Sequence, residues 1–82
     1  MNLVELTEEI VKALVVHKEG VSVKEFPTEE ENVMLIQVMV EEDDMGRVIG
    51  KEGRTANAIR TLVQASSALN ENKYIKIDID KF

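Results

Sequence analysis

A run of nine residues, VMLIQVMVE at 33–41, constrains this chain more than any other segment. Its side chains alternate between two faces, one with Met34, Ile36, Val38 and Val40, the other with Val33, Leu35, Gln37 and Met39. A strand that is apolar on most of both faces is typical of the middle of a sheet. Because the chain has only 82 residues, we expect a single small domain, 1–82, built around this strand.

Two further segments are predicted to join the central strand in a sheet. VSVKEF, 21–26, is rich in β-formers and stops before Pro27, and its polar connector predicts a hairpin with 33–41. YIKIDID, 74–80, alternates with isoleucine on one face and polar side chains on the other, which is the pattern of a half-buried strand.

The first 16 residues have helical periodicity. Apolar side chains recur on one broad stripe between residues 2 and 16. Asn2 and Glu5 have the spacing of a capping box, which predicts the start of the helix. Gly20 is the predicted end.

Two more helical segments lie between the second and third strands. Residues 43–50 predict one or two turns, with Asp43 or Asp44 as N-cap. Thr55 is the predicted cap of a longer helix. Helical spacing predicts that the short segment turns Met45, Val48 and Ile49 inward and that the longer helix turns Ile59, Leu62, Val63, Ser66 and Leu69 inward.

The predicted order is therefore α-β-β-α-α-β. The hairpin makes the first two strands antiparallel, and the helical crossover makes the last two parallel if they are neighbours. This is an α+β fold, a three-stranded mixed sheet covered on one face by helices.

The charge of the chain is unevenly distributed. The formal net charge is −6, yet residues 45–60 hold four basic residues against Glu52 alone, a local charge of +3 that leaves −9 for the remainder. All three arginines, Arg47, Arg54 and Arg60, lie in this window. Such asymmetry indicates one local anion site on an otherwise acidic body.

The segment VIGKEGR, 48–54, lies inside this basic window and has two glycines three positions apart. Glycine lets a phosphate backbone approach the main chain without meeting a Cβ atom. The start of the following helix adds free N–H groups and the positive end of a dipole. The alternative is a plain turn between two helices that needs positive φ at Gly50 or Gly53.

The segment VIGKEGRTANAIRTLV, 48–63, resembles the K-homology (KH) signature I-G-x-x-G-x-x-x-x-x-I, matched by Ile49, Gly50, Gly53 and Ile59. The order of elements resembles the bacterial type II arrangement, and the length resembles the KhpA family of small single-domain bacterial KH proteins. The resemblance implies a non-enzymatic protein that binds single-stranded RNA, as an RNA chaperone or post-transcriptional regulator. Glu52 departs from the family pattern, where a basic or neutral residue is usual.

In KH domains the loop clamps the backbone of the nucleic acid, in a groove between the helix pair and an edge strand. The resemblance implies a clamp of Gly50, Lys51, Glu52 and Gly53, flanking cations Arg47, Arg54 and Arg60, and an apolar floor of Val48, Ile49, Ala56 and Ile59. Plain core packing is the alternative for Val48, Ile49 and Ile59. A solvated position is the alternative for Arg47 and Arg60.

The remaining chemistry-bearing residues match no enzyme pattern. There is no cysteine, and a phosphate-binding P-loop would need different spacing and a hydroxyl where Glu52 stands. The acidic run EEDD, 41–44, is more typical of solvated and capping carboxylates than of a metal site. His17 is the only histidine and has no nucleophile to serve. We expect no catalysis, metal or cofactor.

The sequence also predicts location and association. The N-terminal segment is acidic where a signal peptide is basic, and no apolar run approaches a membrane span, which favours a cytoplasmic protein without membrane contact. The family resemblance implies a homodimer and a possible heteromer with a larger KH-containing protein of the KhpB type. The alternative function is an interaction subunit whose partner binds most of the RNA. Its surface would be Val33, Leu35 and Met39, with Phe26 and Tyr74 beside them.

Overall fold

The computed structural model describes residues 2–82 as an α+β fold with the predicted order of elements. The helices and strands are α1 (Leu3–Leu14), β1 (Ser22–Phe26), β2 (Val33–Val40), α2 (Met45–Ile49), α3 (Arg54–Asn70) and β3 (Tyr74–Lys81). Short 3₁₀ turns precede β1, α2 and α3.

The strand β2 lies at the centre of the three-stranded sheet, as its two apolar faces predict. It pairs with β1 antiparallel, so that Val23 faces Val38, and with β3 parallel, so that Ile36 faces Ile77. The mixed sheet predicted from the order of elements is confirmed.

The core lies between the helices and one face of the sheet. The predicted inward face of β2 is buried along its whole length, and isoleucines of β3 continue it. From the helical side the core receives Leu3, Val11, Val48, Ile59 and Val63. Burial of apolar area at about 25 cal/mol per Å² is the main force that holds these layers together.

The helix α1 begins as predicted and ends earlier. The Asn2 side chain accepts a hydrogen bond from the Glu5 N–H at 2.8 Å, which confirms the cap. The helix stops at Leu14 because Val15 turns to extended backbone and buries its side chain in the core. The predicted end at Gly20 is wrong, since Gly20 lies in a separate 3₁₀ turn.

The helix α3 corrects two predictions. Its N-cap is Gly53, at φ 75°, and Thr55 lies inside the first turn. Leu62 and Leu69, predicted to face inward, are 57% and 85% exposed. The face that is buried consists of Ala56, Ile59, Val63 and Ser67.

The small residues at the two ends of this stripe explain the difference. Ala56 and Ser67 are buried at the edges of the stripe, and Ser67 bonds the backbone at the start of β3. The helix is thereby rotated away from the face that its leucines would favour. Leu62 and Leu69, seven residues apart, remain on the solvent side.

Candidate nucleic-acid interface

The Gly50–Gly53 loop is a tight turn with three left-handed residues. The φ angles are 76° at Gly50, 57° at Glu52 and 75° at Gly53. Gly50 also has ψ 174°, a combination that is open essentially to glycine alone. The Gly50 N–H donates to the Gly46 carbonyl at 2.9 Å, which ends α2, and the chain then turns into α3.

The backbone of this loop has N–H groups without a hydrogen-bond partner within residues 2–82. Its own hydrogen bonds use the N–H groups of Gly50, Gly53 and Arg54. Among residues 2–82, that leaves the N–H groups of Lys51 and Glu52 for an external acceptor. They lie next to the start of α3, a helix of 17 residues whose dipole is positive at this end. The arrangement suits a phosphate oxygen.

Three basic side chains surround the loop. Arg47 and Arg54 have exposed side chains, and Lys51 is exposed and forms no ion pair within residues 2–82. The Arg54 Nη2 lies 3.6 Å from the Glu52 Oε2, an ion pair between two largely exposed side chains. Such pairs contribute little energy, so Arg54 can leave Glu52 for a stronger anion.

Arg60 is placed differently from the other arginines. Its Nε and Nη2 each donate to the Ile77 carbonyl oxygen of β3 at 3.3 Å, and its Nη1 lies 3.4 Å from the Asn57 Oδ1. The guanidinium therefore crosses from α3 to the outer edge of β3. It forms a wall of the space between helix and strand, rather than the purely solvated residue of the alternative.

Two residues that sequence reasoning missed extend this contact. Gln64 donates from Nε2 to the Lys73 carbonyl at 2.9 Å and accepts at Oε1 from the Ile75 N–H at 2.8 Å, as a neighbouring strand would. Ser67 bonds both the N–H and the carbonyl of Lys73. The only available signal was the spacing of Arg60, Gln64 and Ser67 along one helix face.

The edge of β3 beyond Arg60 stays open. The Tyr74 and Phe82 N–H groups donate to β2, so the odd-numbered residues between them direct their N–H and C=O groups away from the sheet. Side chains of α3 reach Ile75 and Ile77. Because Gln64 reaches Ile75 and Arg60 reaches Ile77, the next residue of this edge, Ile79, lies further toward the loop end of α3. Such groups are able to bond the edge of a base.

The predicted apolar floor is largely core. Val48, Ala56 and Ile59 are no more than 2% exposed, which is the packing expected by the alternative for Val48 and Ile59. Ile49 is half-buried and is the member of the set that a ligand can reach. The structure thus brings the clamp and Ile49 together at one surface, with Arg47, Arg54 and Arg60 around it.

Asp44 holds this surface in place. It occupies the N-cap position of α2, as predicted, but its carboxylate makes no cap hydrogen bond. It instead accepts from the Val16 and His17 N–H groups, each at 2.9 Å. Burial alone raises the pKa of a carboxyl, but these two donors and the charges of His17 and Arg47 outweigh it and lower the pKa of Asp44. The short α2 is thereby tied to the segment after α1.

Two other kinds of site do not occur within residues 2–82. No group of three or more histidine, cysteine, aspartate or glutamate side chains is close enough to hold a metal ion. Over the same residues, none of the helices has the length and apolar character needed to cross a bilayer.

Comparison with known proteins identifies the family of this chain. A family model described as KhpA/KhpB, KH domain, matches residues 4–79. The chain is 47% identical over 75 residues to the RNA-binding protein KhpA of Clostridium perfringens, covering 92% of this chain and 96% of that protein. It is equally similar to the RNA-binding protein KhpA of Listeria monocytogenes, with 92% and 95% covered.

Solved structures share the fold at lower identity. Aquifex aeolicus Era, in a variant bound to GDP and AlF4−, superposes with a TM-score of 0.72 at 19% identity, over 98% of this chain and 30% of that one. Era in complex with MgGDPNP and nucleotides 1506–1542 of 16S ribosomal RNA gives a TM-score of 0.67 at 18% identity, over 96% and 29%. This chain spans less than a third of either Era chain.

Proposed function

Because the chain belongs to the KhpA/KhpB family of KH domains, we propose that it is a non-enzymatic cytoplasmic protein that binds single-stranded RNA. The observation that carries the proposal is the Gly50–Gly53 loop, where two glycines at positive φ bring free backbone N–H groups and Lys51 to one exposed surface. The biological role that suits such a small binding module is that of an RNA chaperone or post-transcriptional regulator.

The proposed mechanism divides the work between loop and groove. The loop N–H groups and the Lys51 and Arg54 side chains bind phosphates, which fixes the strand without reading its sequence. Bases then lie between α3 and the edge of β3, over Ile49, where Arg60 and the outward backbone groups near Ile79 meet their edges. A narrow groove of this kind admits single bases and excludes a paired duplex.

The salt dependence of binding tests how many phosphates are held. We expect two or three contacts, because few cations line the path and Arg60 is occupied by Ile77. For single strands the slope of log K against log salt is roughly −0.7 per phosphate, so a slope of about −1.5 to −2 is expected. Fluorescence anisotropy of a labelled, short, random-sequence RNA over a salt series measures it.

A duplex of the same length is the control for that titration. It should bind more weakly than the single strand at every salt concentration. A slope steeper than about −4, or a preference for the duplex, contradicts the groove and favours diffuse electrostatic binding.

A second candidate function is an interaction subunit within a larger KH complex, with a KhpB-like protein supplying most of the RNA contact. The observation that favours it is the apolar side chains on the uncovered face of the sheet, among them Phe26 and Tyr74. Lys51 discriminates between the candidates, because an interaction subunit needs no charge at the loop.

The exposed face of α3 supports self-association. Leu62 and Leu69 lie two turns apart on this face, with Ala65 exposed between them, so a second α3 packed against it covers both leucines. We therefore expect a homodimer through α3. A symmetric helix pair would leave the Gly50–Gly53 loop of each copy accessible.

Leu62→Lys tests this dimer. The substitution places a charge in both halves of a symmetric contact. It also removes one leucine from each copy, and the burial of each leucine side chain contributes about 1.5–3 kcal/mol. The dimer dissociation constant should rise at least about tenfold. Light scattering over a concentration series measures it, with Ala13→Lys, exposed on α1, as the charge-matched control. A parent that is monomeric throughout, or a Leu62→Lys variant that dimerises like the parent, rejects the α3 interface.

A further inference from the structure

The uncovered face of the sheet carries an apolar cluster at one end. Phe26 pairs with Leu35 in the antiparallel ladder, and Val33 pairs with Tyr74 in the parallel one. Phe26, Val33 and Leu35 lie on the face opposite the helices, because Phe26 pairs with Leu35 and the β2 neighbours Met34 and Ile36 point into the core. Tyr74 lies beside Val33 at the edge of the sheet, where it also lines a cavity with Gln64 and Ala68 of α3. We name Phe26, Val33, Leu35 and Tyr74 the distal patch.

The distal patch is accessible. Tyr74 is 59% exposed and Phe26 is 40% exposed, while Val33 and Leu35 between them are half-buried. A sheet face that meets water usually alternates to polar side chains. Four contiguous apolar residues on such a face, two of them aromatic, have the composition of a protein interface centre.

The charges around the distal patch are ordered along the sheet. On one side the turn between β1 and β2 carries Glu29, Glu30 and Glu31, none of which forms an ion pair within residues 2–82. This turn is held by the Thr28 hydroxyl, which lies 2.8 Å from both the Glu30 and the Val33 carbonyl oxygens and donates its proton to one of them. On the other side Lys76 pairs with Leu35 in the register.

Beyond Lys76, the next row across the open face is Lys24, Gln37 and Asp78. The patch is therefore bordered by three carboxylates at one end and, at the other, by two ammonium groups with the Asp78 carboxylate. A ligand that covers it must complement a strongly acidic end, which requires cationic groups over the turn.

The distal patch lies at the far end of the domain from the Gly50–Gly53 loop. The strand β2 starts beside the acidic turn and ends at Val40, from which the chain enters α2 and the loop. Eight strand residues at about 3.3 Å each separate the two ends by roughly 25 Å. A ligand on the patch and one on the loop can therefore be bound at the same time, while Tyr74 of the patch and Arg60 of the groove line one cavity.

We propose that the distal patch docks a segment of another protein, with apolar side chains over the four residues and lysine or arginine over Glu29–Glu31. A nucleic acid is disfavoured because it would bring phosphates to three carboxylates. A second copy that docks through its exposed apolar stripe on α3, Leu62 to Leu69, is disfavoured because that stripe contains no basic residue. A second copy that docks patch to patch is an outcome of the test. Such a partner fits the surface of the interaction-subunit function, and its docking does not depend on the proposed RNA site.

Peptide selection on the full chain tests the proposal. Short random peptides displayed on phage are selected against the chain, and one enriched synthetic peptide is titrated into ¹⁵N-labelled protein. We expect enriched peptides to combine apolar residues with lysine or arginine, and the largest amide shifts at Val33, Leu35 and Tyr74. Tyr74→Ser should weaken the peptide at least about fivefold, and Phe26→Ser gives an independent second measurement; each such loss is about 1 kcal/mol or more.

Two charge variants distinguish the effect of the acidic turn on peptide affinity from the effect of the net charge of the chain. Replacing Glu29, Glu30 and Glu31 together by glutamine should weaken the peptide about threefold or more at low salt, by loss of the attraction across the interface. Replacing Glu8, Glu9 and Glu19 by glutamine changes the net charge equally and should leave the affinity unchanged. Affinity for a short random-sequence RNA, measured with and without saturating peptide, should be the same.

Several outcomes overturn the proposal. They are the failure of any peptide to enrich, the enrichment of acidic peptides, and peptide shifts centred on the Gly50–Gly53 loop. Shifts at the distal patch on simple dilution of the free chain would assign it to a second copy, and shifts there on addition of RNA would assign it to nucleic acid. Loss of RNA binding alone leaves the peptide result intact, so the two proposals fail separately.

Discussion

Gly50→Ala should destabilise the fold by several kcal/mol and abolish RNA binding. A Cβ atom at position 50 would collide with the Thr55 Oγ1 and lie 2.9 Å from the Thr55 backbone nitrogen. Thr55 belongs to the first turn of α3 and cannot yield without moving that helix. The backbone at φ 76° and ψ 174° adds strain of about 1–3 kcal/mol for a residue with a side chain. Urea unfolding and RNA anisotropy measure the two effects.

Two other glycines provide matched controls for that substitution. Gly46→Ala adds the same methyl group on α2 with no heavy atom within 4 Å, so it should be neutral or stabilising by up to about 1 kcal/mol. Gly53→Ala also meets open space but keeps a left-handed φ of 75°, which costs about 1–2 kcal/mol. From the most to the least stable, the expected order of the variants is Gly46→Ala, Gly53→Ala, Gly50→Ala. Equal stability of the first and last would show that the turn is not held as described.

Lys51→Asp should lower the affinity for single-stranded RNA at least about tenfold and leave the fold intact. Arg47, Lys51 and Arg54 against Glu52 give the loop a charge of +2, and the substitution brings it to zero. Near a surface, at an effective dielectric of about 20, one charge beside a phosphate is worth a few kcal/mol before salt screening. A tenfold change needs only about 1.4 kcal/mol of this. The exposed position limits the change in stability to about 0.5 kcal/mol.

The measurement is RNA anisotropy together with the melting temperature of the same variant. Lys24→Asp makes the same change in net charge on β1, away from the loop, and should bind RNA much as the parent does. If Lys51→Asp melts and binds RNA like the parent, the loop is only a turn. The interaction-subunit function then becomes the better account.

The fold was predictable where the side-chain pattern reports burial directly. The strand β2 has only one place in a three-stranded sheet, and the isoleucines at 75, 77 and 79 fix which face of β3 meets the core. The prediction that Leu62 and Leu69 face inward was wrong because a hydropathy pattern assigns leucine to the core before alanine and serine. The burial of Ala56 and Ser67 depends on how closely α3 approaches its neighbours, which no periodicity contains.

The loop of the candidate site was predictable from the sequence, but the hydrogen bonds that hold the surrounding elements in place were not. The two glycines and the cations are contiguous in sequence, so they form a local motif. Asp44 accepts hydrogen bonds from Val16 and His17, which are 28 and 27 positions away in the sequence. The bond between Gln64 and Ile75 forms only when β3 has packed beside α3. Contacts of this kind follow from the tertiary fold, and a single sequence carries no local sign of them.

The Asp44 hydrogen bonds also restrict which residues can occupy positions 16 and 17. The two partners of Asp44 are main-chain N–H groups, so neither hydrogen bond depends on the side chain at position 16 or 17, and Val16 is indeed 61% exposed. Proline is the exception, because it has no N–H to donate. Sequence drift after α1 is therefore compatible with the position of α2 and the candidate site as long as both positions keep an amide hydrogen.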